Sequence, residues 1–408
     1  MSLTLIDPKK YRQLFLDDYA IEKKIGVKQS LHSPQKSGPV IRPDRSVGQT
    51  SLQSRSVPQW NSDKSIWEWW YWASTKVPSS GGSENSSRDI MYYATSTDGE
   101  YWERPALGLH DWNGSKDNNI AFDPNAGSRP IYHIIRDERE KDPTRRYKGL
   151  FSADNRYPAV SPDGFKWTML DVPPIPSNDE SHFTYDEISG QYIAMVKLGT
   201  KWGRSVFLST SKDFGQFTKP ELIFHTDEID WENCRKRVKE VIDNLAYITP
   251  PVIDDEDYIA ETYHMAVMPY EGFYIGFPRI FNPFGAKLPP DMNFTRINQV
   301  ELTVSRDLYH WNRVGDRSLF LGIEPWDGEK YDTSQVSLCG RPQVRENGEI
   351  WVYYNGSRMP GSKMLYRTHN QNRELYRLNV DPDLFDDTGA MSLAKLPMDR
   401  FASLDADQ

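Results

Sequence analysis

The sequence contains almost no cysteine and no excess of positive charge. Its two cysteines, Cys234 and Cys339, do not make a disulfide framework or a zinc knuckle. Lysine and arginine number 49 against 58 aspartates and glutamates, which gives a formal net charge of −9. An acidic chain without a basic block is not expected to bind nucleic acid.

Long apolar runs are also missing. No stretch is long enough to span a membrane, and the first residues lack the apolar core of a signal peptide. We therefore expect a soluble cytoplasmic protein without a membrane partner; the alternative is a secreted or periplasmic protein whose signal has been removed. Glycine-rich loops of the dinucleotide or P-loop kind are absent, which argues against redox chemistry and phosphoryl transfer. The oligomeric state is not indicated.

What the sequence does contain is a repeat of the form Ser-x-Asp followed by an aromatic residue. The copies occupy 96–102, 161–167, 211–217 and 305–311. The aspartate can accept hydrogen bonds from backbone N–H groups of its own turn, and a glycine supplies the positive φ angle in the first two copies. An alternating apolar run precedes each copy, so each turn is expected to cap a strand.

A repeat of several strands at intervals of tens of residues is typical of a β-propeller. We predict an all-β fold, a five-bladed β-propeller closed by the N-terminal strands pairing with the last blade. The propeller is assigned to residues 1–378 and a C-terminal tail to 379–408. The blades are expected at about 47–107, 118–172, 179–222, 259–316 and 335–378 plus 11–34. An insertion at 226–257 contains a predicted charged helix at 231–243.

Five segments resemble a known superfamily. They are 14–22 (LFLDDYAIE), 93–99 (YATSTDG), 114–119 (GSKDNN), 145–148 (RRYK) and 350–356 (IWVYYNG). The chain is similar to the five-bladed propellers of the arabinanase, levansucrase and invertase superfamily (glycosyl hydrolase families 43 and 32), and more closely to glycosyl hydrolase-like proteins with an LFLDDYLIE-type segment. This resemblance implies that the tail is the remnant or the start of an accessory β-sandwich.

The resemblance also implies a carboxylate site at the start of the innermost strands, with an acid, a base or nucleophile, and a modulator. The candidates are Asp179 or Glu180, Glu261 and Asp332, which precede the third, fourth and fifth blades. Two carboxyl groups suffice for glycoside hydrolysis, one protonated and one ionised. Each can instead be a turn or surface residue. The first inner strand, at 49–55, lacks the aspartate that the superfamily usually carries there.

Histidines and arginines on predicted inner strands support a second hypothesis. His133, His182 and His264 could act as bases or hold a divalent metal, and Arg55 and Arg341 could bind a substrate carboxylate. These residues suit β-elimination from uronic-acid sugars. The alternative is that each histidine is a packed residue of the sheet.

Aromatic residues in predicted loops are the remaining candidates for binding sugar. Trp202, Trp326 and Tyr331 could stack on a pyranose ring, whereas most of the aromatic run at 67–72 is expected to be core. The first hypothesis is a glycoside hydrolase-like enzyme acting on an oligosaccharide or polysaccharide without a required cofactor. The alternatives are a lyase, with or without a metal, and a non-catalytic carbohydrate-binding propeller.

Overall fold

The computed structural model describes residues 9–77, 87–123, 130–248, 259–284, 296–360, 384 and 386–406. The secondary structure of this part of the chain is mostly β-strand, with one α-helix, which confirms the expected β-rich class. Strands form where aromatic and β-branched residues follow one another, because these side chains favour extended backbone. Along Ile66–Lys76 the aromatic residues alternate between two cores, with Trp69 in one and Trp70 in the other. The aromatic run is therefore mostly core, as expected.

The strands of the described residues form sheets of two, four, four and 16 strands. We divide the 16-stranded sheet at its two parallel contacts, Asn298 with Gln335 and Gly389 with Ser51, which gives five groups of antiparallel neighbours beside the two-stranded sheet. The chain begins with β1 (Val27–Leu31) and β2 (Gln35–Ile41). Group 1 contains β3 (Gln49–Gln53), β4 (Gln59–Asn61), β5 (Ile66–Lys76), β6 (Ser87–Ser96) and β7 (Ile120–Phe122). Group 2 contains β8 (Ile131–Arg136), β9 (Tyr147–Phe151), β10 (Tyr157–Ser161) and β11 (Thr168–Met169). Group 3 contains β12 (Ser181–Asp186), β13 (Gln191–Thr200), β14 (Gly203–Ser211) and β15 (Glu221–Phe224).

The last two groups follow a helical segment, α1 (Glu228–Asp243). Group 4 contains β16 (Glu261–Tyr270), β17 (Phe273–Pro283), β18 (Arg296–Glu301), β19 (Thr303–Ser305), β20 (Asn312–Arg313) and β21 (Leu319–Leu321). Group 5 contains β22 (Gln335–Leu338), β23 (Gln343–Val344), β24 (Glu349–Ser357) and β25 (Gly389–Pro397), and β2 joins it as a further strand. The final strand is β26 (Ala402–Ala406).

The amino-terminal chain joins group 5 at a place that differs from the prediction. The strand that pairs with β25 is β2, and β1 pairs with β26, whereas residues 11–21 contain no strand. Strands β25 and β26 fall inside the predicted tail at 379–408. Leu14 and Leu16 are buried between groups 4 and 5 without joining a ladder, so the alternation at 11–21 marks one buried side rather than strand pairing. The predicted blade end at 378 lies outside the described residues.

The Ser-x-Asp repeats all form the same turn, as predicted. In the first copy, Asp98 Oδ1 accepts hydrogen bonds from the backbone N–H groups of Glu100 at 2.8 Å and Tyr101 at 2.9 Å. The aspartates of the other three copies accept the equivalent pair of bonds. The next residue has positive φ in every copy, and it is Gly99, Gly164, Phe214 or Leu308. Each turn is thus held by bonds within its own few residues.

Each turn packs against the strand group that precedes its own. The Tyr353 hydroxyl of group 5 donates a hydrogen bond of 2.8 Å to the Gly99 carbonyl of group 1. Gly164 of group 2 lies so close to Trp70 of group 1 that a Cβ atom there would overlap the indole ring. The turns of groups 3 and 4 bury Phe214 and Leu308 in cores that are shared with the preceding group. A further turn, at 398–401 after β25 of group 5, places Phe401 against Phe277 and Phe320 of group 4. The contacts therefore run from group to group and return from group 1 to group 5.

The helix α1 forms in the predicted insertion, which confirms the expected helical segment. The Asp227 side chain caps its first turn by accepting hydrogen bonds from the N–H groups of Ile229 and Asp230. The helix is held on group 4 by buried ion pairs, in which Arg313 lies 2.6 Å from Asp230 and 2.9 Å from Glu301. Among the described residues, no helix is both long enough and apolar enough to cross a membrane.

Candidate functional site

A cavity of about 450 Å³ lies where the first strands of groups 3, 4 and 5 begin, and residues 51–53 of β3 in group 1 also line it. We call it the strand-start cavity. Its wall includes Gln53 of β3, Glu180 just before β12, Tyr263 of β16 and Gln335 of β22. A smaller pocket of about 20 Å³ adjoins it and shares Arg55 and several other residues with it. Side chains far apart in the sequence therefore meet in one polar site.

Glu180 and Arg55 form a bidentate ion pair in the wall of this cavity. Arg55 Nε lies 2.9 Å from Glu180 Oε2, and its Nη2 lies 2.7 Å from Oε1. Burial alone would raise the pKa of Glu180, but the charge and hydrogen bonds of Arg55 outweigh burial and hold it well below its usual range. Glu180 is consequently a fixed anion at neutral pH and cannot serve there as a proton donor.

Asp179 is the neighbouring carboxylate and is more accessible, with 51 % of its side chain exposed. Its Oδ1 lies 2.6 Å from Nζ of the buried Lys197, and its Oδ2 accepts a hydrogen bond of 3.2 Å from the Tyr263 hydroxyl. Burial raises the pKa of Tyr263, so the phenol stays protonated and can donate to Asp179. Asp179 thus presents an oriented carboxylate to the cavity.

Arg156 fixes the loop that carries both carboxylates. Its side chain is fully buried, and it donates 2.8 Å to the Asn178 carbonyl and 2.6 Å to Ser181 Oγ. These bonds flank Asp179 and Glu180 on either side. Since the donors of Arg156 point to backbone and hydroxyl oxygens, its role is to hold the loop rather than to bind a ligand.

The three predicted histidines lie close to one another but do not act as a charged cluster. His182 and His264 line the small pocket, and His133 donates 2.7 Å to the Arg55 carbonyl and bonds Ser181 Oγ at 2.7 Å. Burial lowers the pKa of His182 and His264 to about 3, and burial lowers that of His133 well below its usual range. All three are neutral at physiological pH. No three His, Cys, Asp or Glu side chains of the described residues lie close enough together to hold a metal ion.

Two predicted carboxylates do not reach the cavity wall. Glu261 accepts a hydrogen bond of 2.9 Å from the Arg204 backbone N–H and pairs with the Arg204 side chain. Asp332 lies 2.7 Å from Lys36 Nζ and accepts 3.1 Å from the Tyr354 hydroxyl. The structure therefore does not bring Glu261 and Asp332 into the strand-start cavity with Asp179 and Glu180.

Most of the predicted sugar-binding residues also lie away from the strand-start cavity. Trp202 stacks on His225 with ring centroids 3.8 Å apart. Tyr331 is buried and donates 2.6 Å to Asp387, and Trp326 packs beside Arg358. Of the predicted substrate-binding set, Arg55 lines the strand-start cavity and His133 contacts Arg55.

Arg341 lies at the other end of the first strands, in a cavity of about 590 Å³. There its guanidinium pairs with Glu187 at 2.9 Å. Trp60 and Trp67 line the same cavity. Trp60 is 41 % exposed, and the centroids of the two indole rings lie 5.2 Å apart. Arg341 is therefore separated from Arg55, with which the sequence grouped it.

Four ionisable side chains of the strand-start cavity were missed by the sequence analysis. They are Asp89 of β6, Tyr263 of β16, Arg279 of β17 and Arg296 of β18. Tyr263 lies two residues after Glu261, but a β-bulge between Thr262 and His264 interrupts the alternation there, and Glu261 itself does not line the cavity. The others sit on second or third strands, where no motif marks them.

Comparison of the sequence with known protein families and with curated proteins found no match. Several solved structures are similar to the chain. One is described as a glycoside hydrolase, with 11 % identity, 90 % of this chain and 93 % of that chain covered, and a TM-score of 0.49. A glycosyl hydrolase from Bacteroides ovatus shows 12 % identity, coverage of 89 % and 94 %, and a TM-score of 0.49. An N-acetylgalactosamine deacetylase from F. plautii shows 12 % identity, coverage of 90 % and 95 %, and a TM-score of 0.46. At these identities and TM-scores, the similarity says nothing about the chemistry of the cavity.

Proposed function

We propose that the chain is a carbohydrate-active enzyme that cleaves a glycosidic bond of an oligosaccharide or polysaccharide in the strand-start cavity. The observation that carries this proposal is the pair of adjacent carboxylates, Asp179 and Glu180, in a cavity whose wall also presents amide, hydroxyl and guanidinium groups. Such groups match the hydroxyls of a sugar, which both donate and accept hydrogen bonds. The sequence resemblance to glycosyl hydrolase-like propellers points to the same class.

We also propose that the five strand groups are the blades of one closed β-propeller. The circular order of turn contacts supports closure, as does the pairing of β2 with β25, which joins the amino-terminal chain to the last group. The two cavities lie at the beginnings and at the ends of the first strands, as the two mouths of a propeller channel would.

The two carboxylates have different roles in this mechanism because their environments differ. Asp179 is exposed and acts as the base that takes a proton from the attacking water. Glu180 stays ionised beside Arg55 and stabilises the positive charge that develops on the sugar ring. The Tyr263 hydroxyl, 3.2 Å from Asp179, orients this base by donating a hydrogen bond to it, and the leaving oxygen takes its proton from water in the cavity.

Elimination from a uronic-acid sugar is a second candidate reaction. The observation that favours it is Arg279, whose guanidinium carbon lies 4.8 Å from the centre of the Tyr263 ring. An arginine there would neutralise the uronate carboxylate and so make the adjacent C–H more acidic, with Asp179 as the base and Tyr263 as the acid. Elimination produces an unsaturated sugar, whereas hydrolysis adds water across the glycosidic bond and produces only saturated sugars.

The test is incubation with a panel of plant, algal and microbial oligosaccharides, with and without EDTA. Products are followed by reducing-end detection and by the ultraviolet absorbance of unsaturated uronates. The proposal expects new reducing ends that are lost in Asp179→Asn and Glu180→Gln and retained in Glu187→Gln, a matched change in the opposite cavity. New absorbance would select elimination over hydrolysis. Cleavage by Asp179→Asn at the wild-type rate would overturn the site assignment.

A further inference from the structure

We infer that the strand-start cavity contains a subsite for an anionic group, that Arg279 binds this group, and that the sugar therefore carries a carboxylate or a sulfate ester. This inference rests on the proposed function for the sugar part of the ligand. The charge of the ligand follows from the surroundings of Arg279 alone.

Arg279 lies on β17, opposite His264 of β16 and Val300 of β18. Its side chain reaches the strand-start cavity and the small pocket behind it. Among the described residues it makes one side-chain hydrogen bond, from Nη2 to Gln335 Oε1 at 3.2 Å. That oxygen also accepts a shorter bond of 2.8 Å from Asn298. The guanidinium is thus held at one corner, and its Nε is buried without an acceptor.

Two nearby cations, Arg55 and Lys197, are already neutralised. Arg55 takes both oxygens of Glu180, and Lys197 takes Asp179. Within the described residues, no carboxylate lies within ion-pair distance of Arg279. Glu180 cannot switch to Arg279 without breaking its bidentate bond to Arg55. Arg279 therefore differs from Arg55 and Lys197 in having charge and donors to offer.

Arg279 is partly buried, and its buried Nε is unfavourable there unless an acceptor fills it. Burial lowers the pKa of Arg279 to about 10, with Glu180 opposing this shift, so the side chain remains charged at neutral pH. The ring of Tyr263 packs beneath it at 4.8 Å and limits the directions in which its N–H groups can point. A rigid planar fork of donors suits a carboxylate or a sulfate, which accepts two parallel hydrogen bonds.

Position in the cavity couples this subsite to the reacting carboxylates. Arg279 and Glu180 line the same small pocket, and Tyr263 contacts both Arg279 and Asp179. A sugar whose anionic group lies on Arg279 would consequently place its ring beside Asp179. The subsite would select acidic sugars and orient them for cleavage.

Calorimetric titration tests the inference without requiring turnover. The probes are trigalacturonate and its methyl ester, and a sulfated galactose trisaccharide and its desulfated form. We expect the charged member of at least one pair to bind about tenfold or more tightly than its neutral counterpart. Arg279→Gln should abolish that preference and Arg279→Lys should retain part of it. Arg341→Gln, an arginine in the opposite cavity, should leave it unchanged. The pair that shows the preference tells carboxylate from sulfate.

Three results would overturn the inference: equal binding of charged and neutral probes, no binding of either charged probe, or an undiminished preference in Arg279→Gln. If Arg279→Gln does not fold, the Arg279→Lys variant provides the test. Lysine cannot form two parallel hydrogen bonds with one anionic group, so an unchanged preference for the charged probe in Arg279→Lys would contradict the assignment. Charge-dependent binding without cleavage would remove the proposed function and leave the subsite. Cleavage of neutral sugars at the same rate in wild type and Arg279→Gln would leave the proposed function and remove the anionic subsite.

Discussion

Replacing Glu180 by glutamine should destabilise the protein, even though the new side chain has the same shape. The change removes the negative charge opposite Arg55 and leaves that guanidinium buried without its ionic partner. Breaking a buried ion pair from one side costs about 3–5 kcal/mol. Unfolding entropy of about 2.1 cal/mol/K per residue amounts to roughly 0.9 kcal/mol/K for 408 residues. The melting temperature should therefore fall by about 4–6 °C.

The pH dependence gives a second check on the same variant. Because the pKa of Glu180 is lowered in the folded protein, its ionisation contributes stability above its unfolded value of 4.5. That contribution is lost as the pH falls through the folded value. The difference in melting temperature between wild type and Glu180→Gln should thus be complete at pH 7 and should shrink below about pH 4.5.

Differential scanning fluorimetry of a double-mutant cycle measures the interaction directly. The cycle contains wild type, Glu180→Gln, Arg55→Gln and the double variant, which removes both charges together. The double variant should be less destabilised than the sum of the single changes. Glu187→Gln, in an exposed ion pair with Arg341, should shift the melting temperature by only about 1 °C. Additive effects, or a wild-type melting temperature for Glu180→Gln, would refute the reasoning.

Further predictions concern the backbone, the repeated turn and the histidines. Gly203→Ala should lower the free energy of unfolding by about 1–3 kcal/mol, because φ is +77° at this position and the new Cβ would overlap Glu261. The control is Gly199→Ala, whose Cβ would have open space; equal shifts in melting temperature for the two variants would contradict this prediction. Asp98→Ala should cost about 1–2 kcal/mol in urea unfolding at pH 7. Burial opposes ionisation of Asp98, but backbone N–H groups hold its pKa low, so the cost should decrease below about pH 3.8; a pH-independent cost would argue against the turn bonds. His264→Gln should leave the pH profile of activity between pH 5 and 8 unshifted, since burial lowers the pKa of His264 to about 3; loss of a limb near pH 6 would show a titrating role.

The repeated turns could be predicted from sequence because the bonds that define them are local. Asp98 and its counterparts bond to N–H groups two and three residues away, so a short motif contains every group required. The capped helix α1 is local in the same sense, with Asp227 and Asp230 satisfying its first turn. Local hydrogen bonding therefore accounts for the part of the fold that was anticipated.

The features that could not be predicted depend on contacts between residues far apart in the sequence. Residues 11–21 alternate like a strand, yet Leu14 and Leu16 are buried with no neighbouring ladder, because alternation reports only that one side is covered. For the site, the position of a carboxylate ahead of a strand did not reveal its partner. Asp332 forms an ion pair with Lys36, which lies almost 300 residues away in the sequence, and Glu261 forms an ion pair with Arg204.

The arginines show the same limit most clearly. Arg55 was expected to bind substrate and is neutralised by Glu180, whereas Arg279, on a second strand and without a motif, keeps its donors open. Which of several arginines is compensated depends on side chains from three strand groups. No single stretch of sequence contains that information.

The packing of each turn into the preceding group has a consequence for how the molecule comes apart. A group that loosens withdraws the residue that completes its neighbour's core, such as Phe214 or Leu308. Unfolding of one group therefore destabilises the next group. The hydrogen bond from the Tyr353 hydroxyl to the Gly99 carbonyl couples groups 1 and 5 in the same way. Amide protons deep in all five groups should accordingly exchange with solvent in one concerted opening rather than in five separate ones.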